Sequence, residues 1–281
     1  MNIVSLKEKC NQLRVDTLNE IYEAGSGHPG GSLSMVEIMV SLYYYKMNIN
    51  PGNPKDPFRD RFVLSKGHAA PILYAVLADK GYFDKKMLKT LRKLHSPLQG
   101  HPDKKKLSGV DASTGSLGQG VSVATGMALG AKTLNNGVHV YAVLGDGELQ
   151  EGIVWEAAMA ASHYKLDNLT VIVDNNGLQI DGSCEQVMGV DDIGRKYESF
   201  GFTVYDVADG NDLEQIIEAL DAPFHGKPKC IVAHTIKGKG VSFMENVVGW
   251  HGKSLNDEEL EKALTELGGA KAPESRLKCQ I

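Results

Sequence analysis

The stretch VYAVLGDGELQEGIVWEAAMAA, residues 140–161, decides the fold class. Its apolar run at 140–144 stops at Gly145, and a helix-like pattern resumes after Gly152. Such a strand–turn–helix junction directs backbone N–H groups and a positive helix end outward, which suits an anion. Yet Asp146 stands at its centre, and no Lys-Ser or Lys-Thr follows. Residues 145–152 read GxGxxxxG rather than the GxGxxG of dinucleotide sites. Taken alone, GDG is more simply an Asp N-cap than a ligand.

The pattern extends on both sides of this stretch. Strands are expected at 61–65, 138–144, 169–174, 202–207 and 229–235, and helices at 69–80, 121–133, 153–164 and 211–220. The amino-terminal part reads as helical over 6–23 and 33–47, broken by GSGHPGG at 25–31. Loops are expected at 50–60, rich in Pro, Gly and Asp, and at 95–120, rich in Gly, Ser, His and Pro. The class is therefore α/β: a mainly parallel open sheet with helices on both faces. One domain is expected over 1–281, with 256–281 as its short charged helix and polar tail.

Ligands of an open parallel sheet gather at the carboxyl ends of its strands. Here those ends carry SKGH, GDGE and DNNG. Asp146 and Asn176 lie thirty residues apart, one βαβ unit, so both belong on the same edge of the sheet. Two hard oxygen ligands suit Mg²⁺, or another hard divalent cation such as Ca²⁺, with phosphate oxygens completing the shell. On that reading the acid holds a metal, and the metal holds a diphosphate.

Bulk properties narrow the classes further. A formal charge of −5 argues against nucleic acid as the main partner. The Lys-rich pieces Lys85-Lys86, 104–106 and KGKG at 237–240 read as solvated surface or loop. Four scattered cysteines, Cys10, Cys184, Cys230 and Cys279, form no CxxC pair and read as reduced thiols of a cytoplasmic protein. The amino terminus lacks a signal-peptide pattern, and no stretch reaches the roughly 18 apolar residues of a membrane span.

GDGELQEG followed by VDNNGLQIDG resembles the metal-binding pattern of thiamine diphosphate enzymes. Around it, SGHPGGSLS, SKGHA, GHP at 100–102, TGSLGQG and WHG at 250–252 stand in the order found in transketolases. The resemblance covers about residues 10–255, and is to the amino-terminal, diphosphate-binding half of that family. It implies side-chain coordination of Mg²⁺ by Asp146 and Asn176, with the Leu178 carbonyl as a third ligand. Many relatives have a shorter turn here, so Asn175 competes with Asn176; counting back from Ile180-Asp181-Gly182 favours Asn176. Ile180 would lie near the thiazolium, and Gly115, Leu117 and Gly147 around the cofactor, with Ser116 standing where many relatives have Pro.

Four of nine histidines fall in the shared motifs: His28, His68, His101 and His251. On spacing alone each reads as a surface or structural residue. The resemblance implies that they converge over the reactive carbon, His68 also touching the diphosphate side. Imidazole binds hydroxyl or carbonyl oxygens and can move a proton near neutral pH. His95, His139, His163, His225 and His234 have weaker claims, His234 being the strongest extra near the diphosphate. Glu148 reads as a first-turn acid complementing the helix dipole. Glu151 matches a family position at the dimer interface, where acids link two cofactors.

The resemblance also implies what is missing. The glutamate that activates the cofactor belongs to a pyrimidine-binding domain for which no segment after Trp250 is long enough. Either this is a fragment of a longer protein or the enzyme is split between two chains, and the polar ending KAPESRLKCQI favours the split. A self-dimer bound to two carboxy-terminal transketolase subunits in a heterotetramer is expected, acting in carbohydrate metabolism. Its reaction would be reversible transfer of a two-carbon ketol unit from ketose to aldose phosphates. Another thiamine-dependent ketose-modifying enzyme is the alternative, and a noncatalytic subunit retaining the fold is a third. The retained Asp146, Asn176 and motif histidines count against the last.

Overall fold

Successive strand residues bury opposite faces, and this splits the interior in two. The computed structural model describes residues 2–224 and 226–268. His225 and the tail from 269 onward, including Cys279, lie outside them. The helices are α1 (Ile3–Ala24), α2 (Pro29–Leu33), α3 (Val36–Ser41), α4 (Ala70–Asp79), α5 (Gln119–Leu134), α6 (Gly152–His163), α7 (Cys184–Met188), α8 (Ile193–Ser199), α9 (Leu213–Asp221) and α10 (Asp257–Glu266). The strands are β1 (Arg61–Leu64), β2 (Val140–Gly145), β3 (Leu169–Asn175), β4 (Leu178–Gln179), β5 (Gly182–Ser183), β6 (Thr203–Val207) and β7 (Lys229–His234).

The main sheet has the order β1-β2-β3-β7-β6, every pair parallel, while β4 and β5 form a separate antiparallel hairpin. Tyr141 and Val143 join Phe62, Leu64, Ile172 and Ile231 in a core with α1, α3, α4, α9 and α10. Val140, Ala142 and Leu144 join Val63, Val171, Val173 and Val232 in a second core with α5, α6 and α8. A sheet apolar on both faces requires that cover, since parallel strands leave neither side to water.

The expected elements are present, with two differences. The helix read over 33–47 is α3 and a π-helical turn at Leu42–Lys46, and its first residue, Leu33, ends α2, which begins inside the GSGHPGG segment expected to be a break. Pro29 starts α2 at a position where its missing N–H costs nothing, and Ser34 takes its side chain away to Asp174. The β4–β5 hairpin, α7 and α8 fill residues 178–199, for which the periodicity gave no element. No helix among the described residues is long and apolar enough to cross a membrane.

Candidate active site

Three strand ends meet at one cavity of about 390 Å³, lined by residues that include His28, Lys66, His68, Gly115, Leu117 and Asp146. Gly147, Glu148, Glu151, Asn176, Leu178, Ile180, Lys237 and His251 also line it. The register places Gly145 opposite Asp174, so the turns after β2 and β3 emerge side by side. Asp146 is 4% exposed and accepts from the N–H groups of Gly147 (2.8 Å) and Gly177 (2.6 Å). Burial and the neighbouring Asp174 push its carboxyl above the ordinary range, against those two donors.

Asn176, and not Asn175, lines this cavity. Its Nδ2 donates to Asp174 and its Oδ1 accepts from Leu178 N, both at 3.2 Å. Asn175 turns toward His234, at 3.2 Å, on the wall of a separate cleft that also contains Asp206. His234, expected near the diphosphate, instead pairs with Asp206 at 2.7 Å and does not line the site. It is held there because β7 is followed by a turn in which Thr235, not His234, reaches inward to Asp174.

The three histidines His28, His68 and His251 form a triangle, with ring centroids 5.2 to 5.6 Å apart. Each imidazole has a pKa below its ordinary value. Burial and then Arg92 bring His28 to about 4; burial and then Lys237 bring His251 to about 3. Burial and then Lys66 hold His68 far down as well. With pKa values below the ordinary imidazole range, these rings are neutral at pH 7, and each offers one donor and one acceptor nitrogen. His101 is exposed and outside the cavity wall; its ring packs behind Gly115, where a Cβ would come within 3.2 Å of it. His95, His139 and His163 also lie outside the wall.

Sequence reasoning misplaced one cation, and it missed a second cation and the burial of one acid. Lys237 of KGKG is 1% exposed, not a surface residue, and its Nζ donates to Leu178 O at 3.0 Å and meets His251 Nδ1 at 2.8 Å. Burial, and then repulsion from Lys66, lower its pKa to about 8. Lys66, also 1% exposed, pairs with buried Asp174 and donates to Gly31 O at 2.7 Å. Glu148 stands in the first turn of a 3₁₀ helix, as expected of a first-turn acid, but it is buried. It accepts from Ser65 Oγ, from Gly118 N at 2.8 Å and from Gly145 N at 3.1 Å, tying α5 to the ends of β1 and β2. Glu151 is exposed at the N-cap of α6, on the cavity edge. A Lys directly after a strand motif was the available signal for Lys66; for Lys237 there was none.

The donor set can be tested against a metal. Among the described residues no group of three or more His, Cys, Asp or Glu could hold one. Asp146, Asn176 and Leu178 line the one cavity with a carboxylate, an amide and a backbone carbonyl, an all-oxygen set that needs further oxygens from a ligand and in which a cation would displace the Lys237 ammonium from Leu178 O. That fits Mg²⁺ or Ca²⁺ with phosphate and not a self-contained zinc site.

The family model for the thiamine diphosphate binding domain of transketolase matches residues 5–278. The chain belongs to the transketolase family. It is 42% identical over 266 residues to a 6-deoxy-6-sulfo-D-fructose transketolase subunit of Clostridium sp. (strain MSTE9), covering 94% of this chain and 96% of that one. An apulose-4-phosphate transketolase subunit from Actinobacillus succinogenes is 42% identical, with 93% and 94% covered. The crystal structure of transketolase from Campylobacter jejuni superposes with a TM-score of 0.89 at 37% identity. It covers 98% of this chain but only 45% of the crystallised one. The chain thus corresponds to the amino-terminal, thiamine diphosphate-binding part of full-length transketolases, and to nearly the whole of the separate subunits.

Proposed function

We propose that this chain is the amino-terminal subunit of a split, cytosolic transketolase that transfers a two-carbon ketol unit between sugars. The observation that carries the reading is the single cavity shared by Asp146, Asn176, Leu178 and the three neutral histidines. Asp146, Asn176 and the Leu178 carbonyl would hold a divalent cation, and Lys66 and Lys237 would add positive charge beside a diphosphate. Thiamine diphosphate, when bound, supplies a nucleophilic carbon and an electron sink for carbon–carbon cleavage. Ile180, Gly115, Leu117 and Gly147 would enclose it, glycine allowing close backbone approach. His28, His68 and His251 would bind the ketose carbonyl and hydroxyls. His101, beside Gly115, would join them if its loop closed, and Glu151 would meet its counterpart across a self-dimer.

A carboxy-terminal partner subunit would supply cofactor activation, two of each chain forming a heterotetramer. Relatives named for a sulfonated sugar and for apulose 4-phosphate favour a second possibility for the substrate, a ketose outside the common sugar phosphates. Titration calorimetry of the reconstituted complex tests the metal set: Asp146→Ala should lose Mg²⁺-dependent binding of thiamine diphosphate. Unchanged affinity overturns that assignment. The full chain purified alone should show no ketol transfer, and adding the partner should restore it while raising thermal stability. Transfer by the isolated chain would refute the split reading.

A further inference from the structure

Arg92 lies outside the cavity wall, in a segment to which neither the motifs nor the comparisons give a role. It follows the 3₁₀ helix Lys85–Thr90 and holds a left-handed backbone, φ 58°, that costs a side chain such as Arg energy. Its own N–H fixes that bend by donating to Leu98 O at 2.8 Å. The guanidinium then reaches back across the chain. Nη1 donates to Ser26 Oγ at 2.8 Å, and Nη2 lies 3.4 Å from His28 Nδ1. Its inner face packs on Gly100, where a Cβ would sit 3.2 Å from Cζ. One side chain thus ties the segment bearing His28 to the segment bearing His101.

Guanidinium has donors only, and it cannot lose its proton. A ring nitrogen facing it must therefore present a lone pair. The geometry assigns Arg92 as a positioning residue that fixes His28 as the Nε2–H tautomer, leaving a donor for a sugar oxygen. The Nε2 edge of the ring lies opposite, about the Trp250–Gly252 turn, 3.9 Å from where a Cβ on Gly252 would stand. Lys237 imposes the same state on His251, its ammonium facing that ring's Nδ1 at 2.8 Å. The charged and titratable groups around His28 are Arg92, His101, Lys237, His68 and His251, none of them an anion. Nothing nearby favours the imidazolium, so the neutral donor form persists well below neutrality.

This deepens the reading of the cavity as a ketose site, but its first test does not depend on it. In the full chain labelled with ¹⁵N-histidine, with His28→Gln assigning the resonance, His28 should show the Nε2–H pattern at pH 7. Arg92→Met should mix the tautomers and raise the His28 pKa by about one unit, while Arg92→Lys, which keeps a donor, should retain the tautomer. With the partner present, Arg92→Met should raise KM for the ketose by roughly 3- to 10-fold, with a smaller change in kcat and with rescue in Arg92→Lys. A wild-type His28 protonated at Nδ1 overturns the assignment, as does an Arg92→Met variant with unchanged tautomer and pKa. If Arg92→Met does not fold, the wild-type and Arg92→Lys spectra decide. Absence of ketol transfer by the wild-type complex would instead count against the ketose reading alone, leaving the tautomer result standing.

Discussion

Lys66 and Asp174 stand 108 residues apart in sequence and are almost wholly buried together. Burial pushes the Asp174 carboxyl up, but the Lys66 charge and the Ser34 and Thr235 hydroxyls outweigh it, and the group stays below its ordinary pKa. Removing Lys66 leaves the buried carboxylate hydrogen-bonded but without its counter-charge, so Lys66→Met should cost about 3–5 kcal/mol in urea unfolding. The double variant Lys66→Met/Asp174→Leu should recover much of that loss. Equal stability of the single variant and wild type would show that the pair carries little. The strand-end positions of the acid and amide near the cavity were legible in GDG and DNNG, while the choice of Asn176 over Asn175 came from the family resemblance. The buried role of Lys66, Lys237 and Glu148 was not legible, because what neutralises or satisfies each lies in a distant segment. A lysine beside glycines reads as solvated until its partner is known.

Helix α5 shows how closely the elements behind the site must approach. Its Gly120 has the Ser65 Cα where a side chain would begin, a Cβ there falling 2.6 Å from it, and Val121 N donates to Ser65 Oγ at 3.1 Å. Ser65 follows β1 directly and precedes Lys66, so helix and strand end touch through backbone. Gly120→Ala should push α5 from β1 and cost about 1–3 kcal/mol, read as a lower denaturation midpoint at unchanged m-value. Gly126→Ala, on the same helix with open space around it, should be neutral or stabilising. If both variants behave alike, the close contact is not what requires glycine at 120. At this scale the sequence was informative for the main strands, whose apolar runs and glycine ends are strong signals. The segment at 33–47 misled, since its apolar face continues through a break made by tertiary contacts, Ser34 to Asp174 and Asn211 to Ser34 O. The short hairpin and α7 bury little of their own and left no periodicity to find.

Acid stability belongs to the whole molecule. Burial, and then Lys229 and Lys46, take His139 to about 3, while His28 and His251 stand near 4 and 3. With folded pKa values below the unfolded value near 6.5, the unfolded chain binds more protons in between. Stability present above pH 6.5 is therefore lost as pH falls from about 6.5 toward 4 for His28 and toward 3 for His139 and His251. His139, outside the site and bonded to Thr170 Oγ1 at 2.9 Å, isolates the effect. His139→Gln should remove about 1–2 kcal/mol of the loss between pH 7 and pH 5, flattening that limb of a thermal-melt series. Parallel pH profiles for variant and wild type would discount the histidine. The cavity itself is assembled from residues as far apart as His28 and His251, with strand β1 waiting for β2 across seventy-five intervening residues. A ribosome must therefore release the chain through residue 251 before the cavity wall is complete. The emerging polypeptide passes through a long interval with the apolar β1 segment unpaired, and the histidine triangle closes only once His251 is in place.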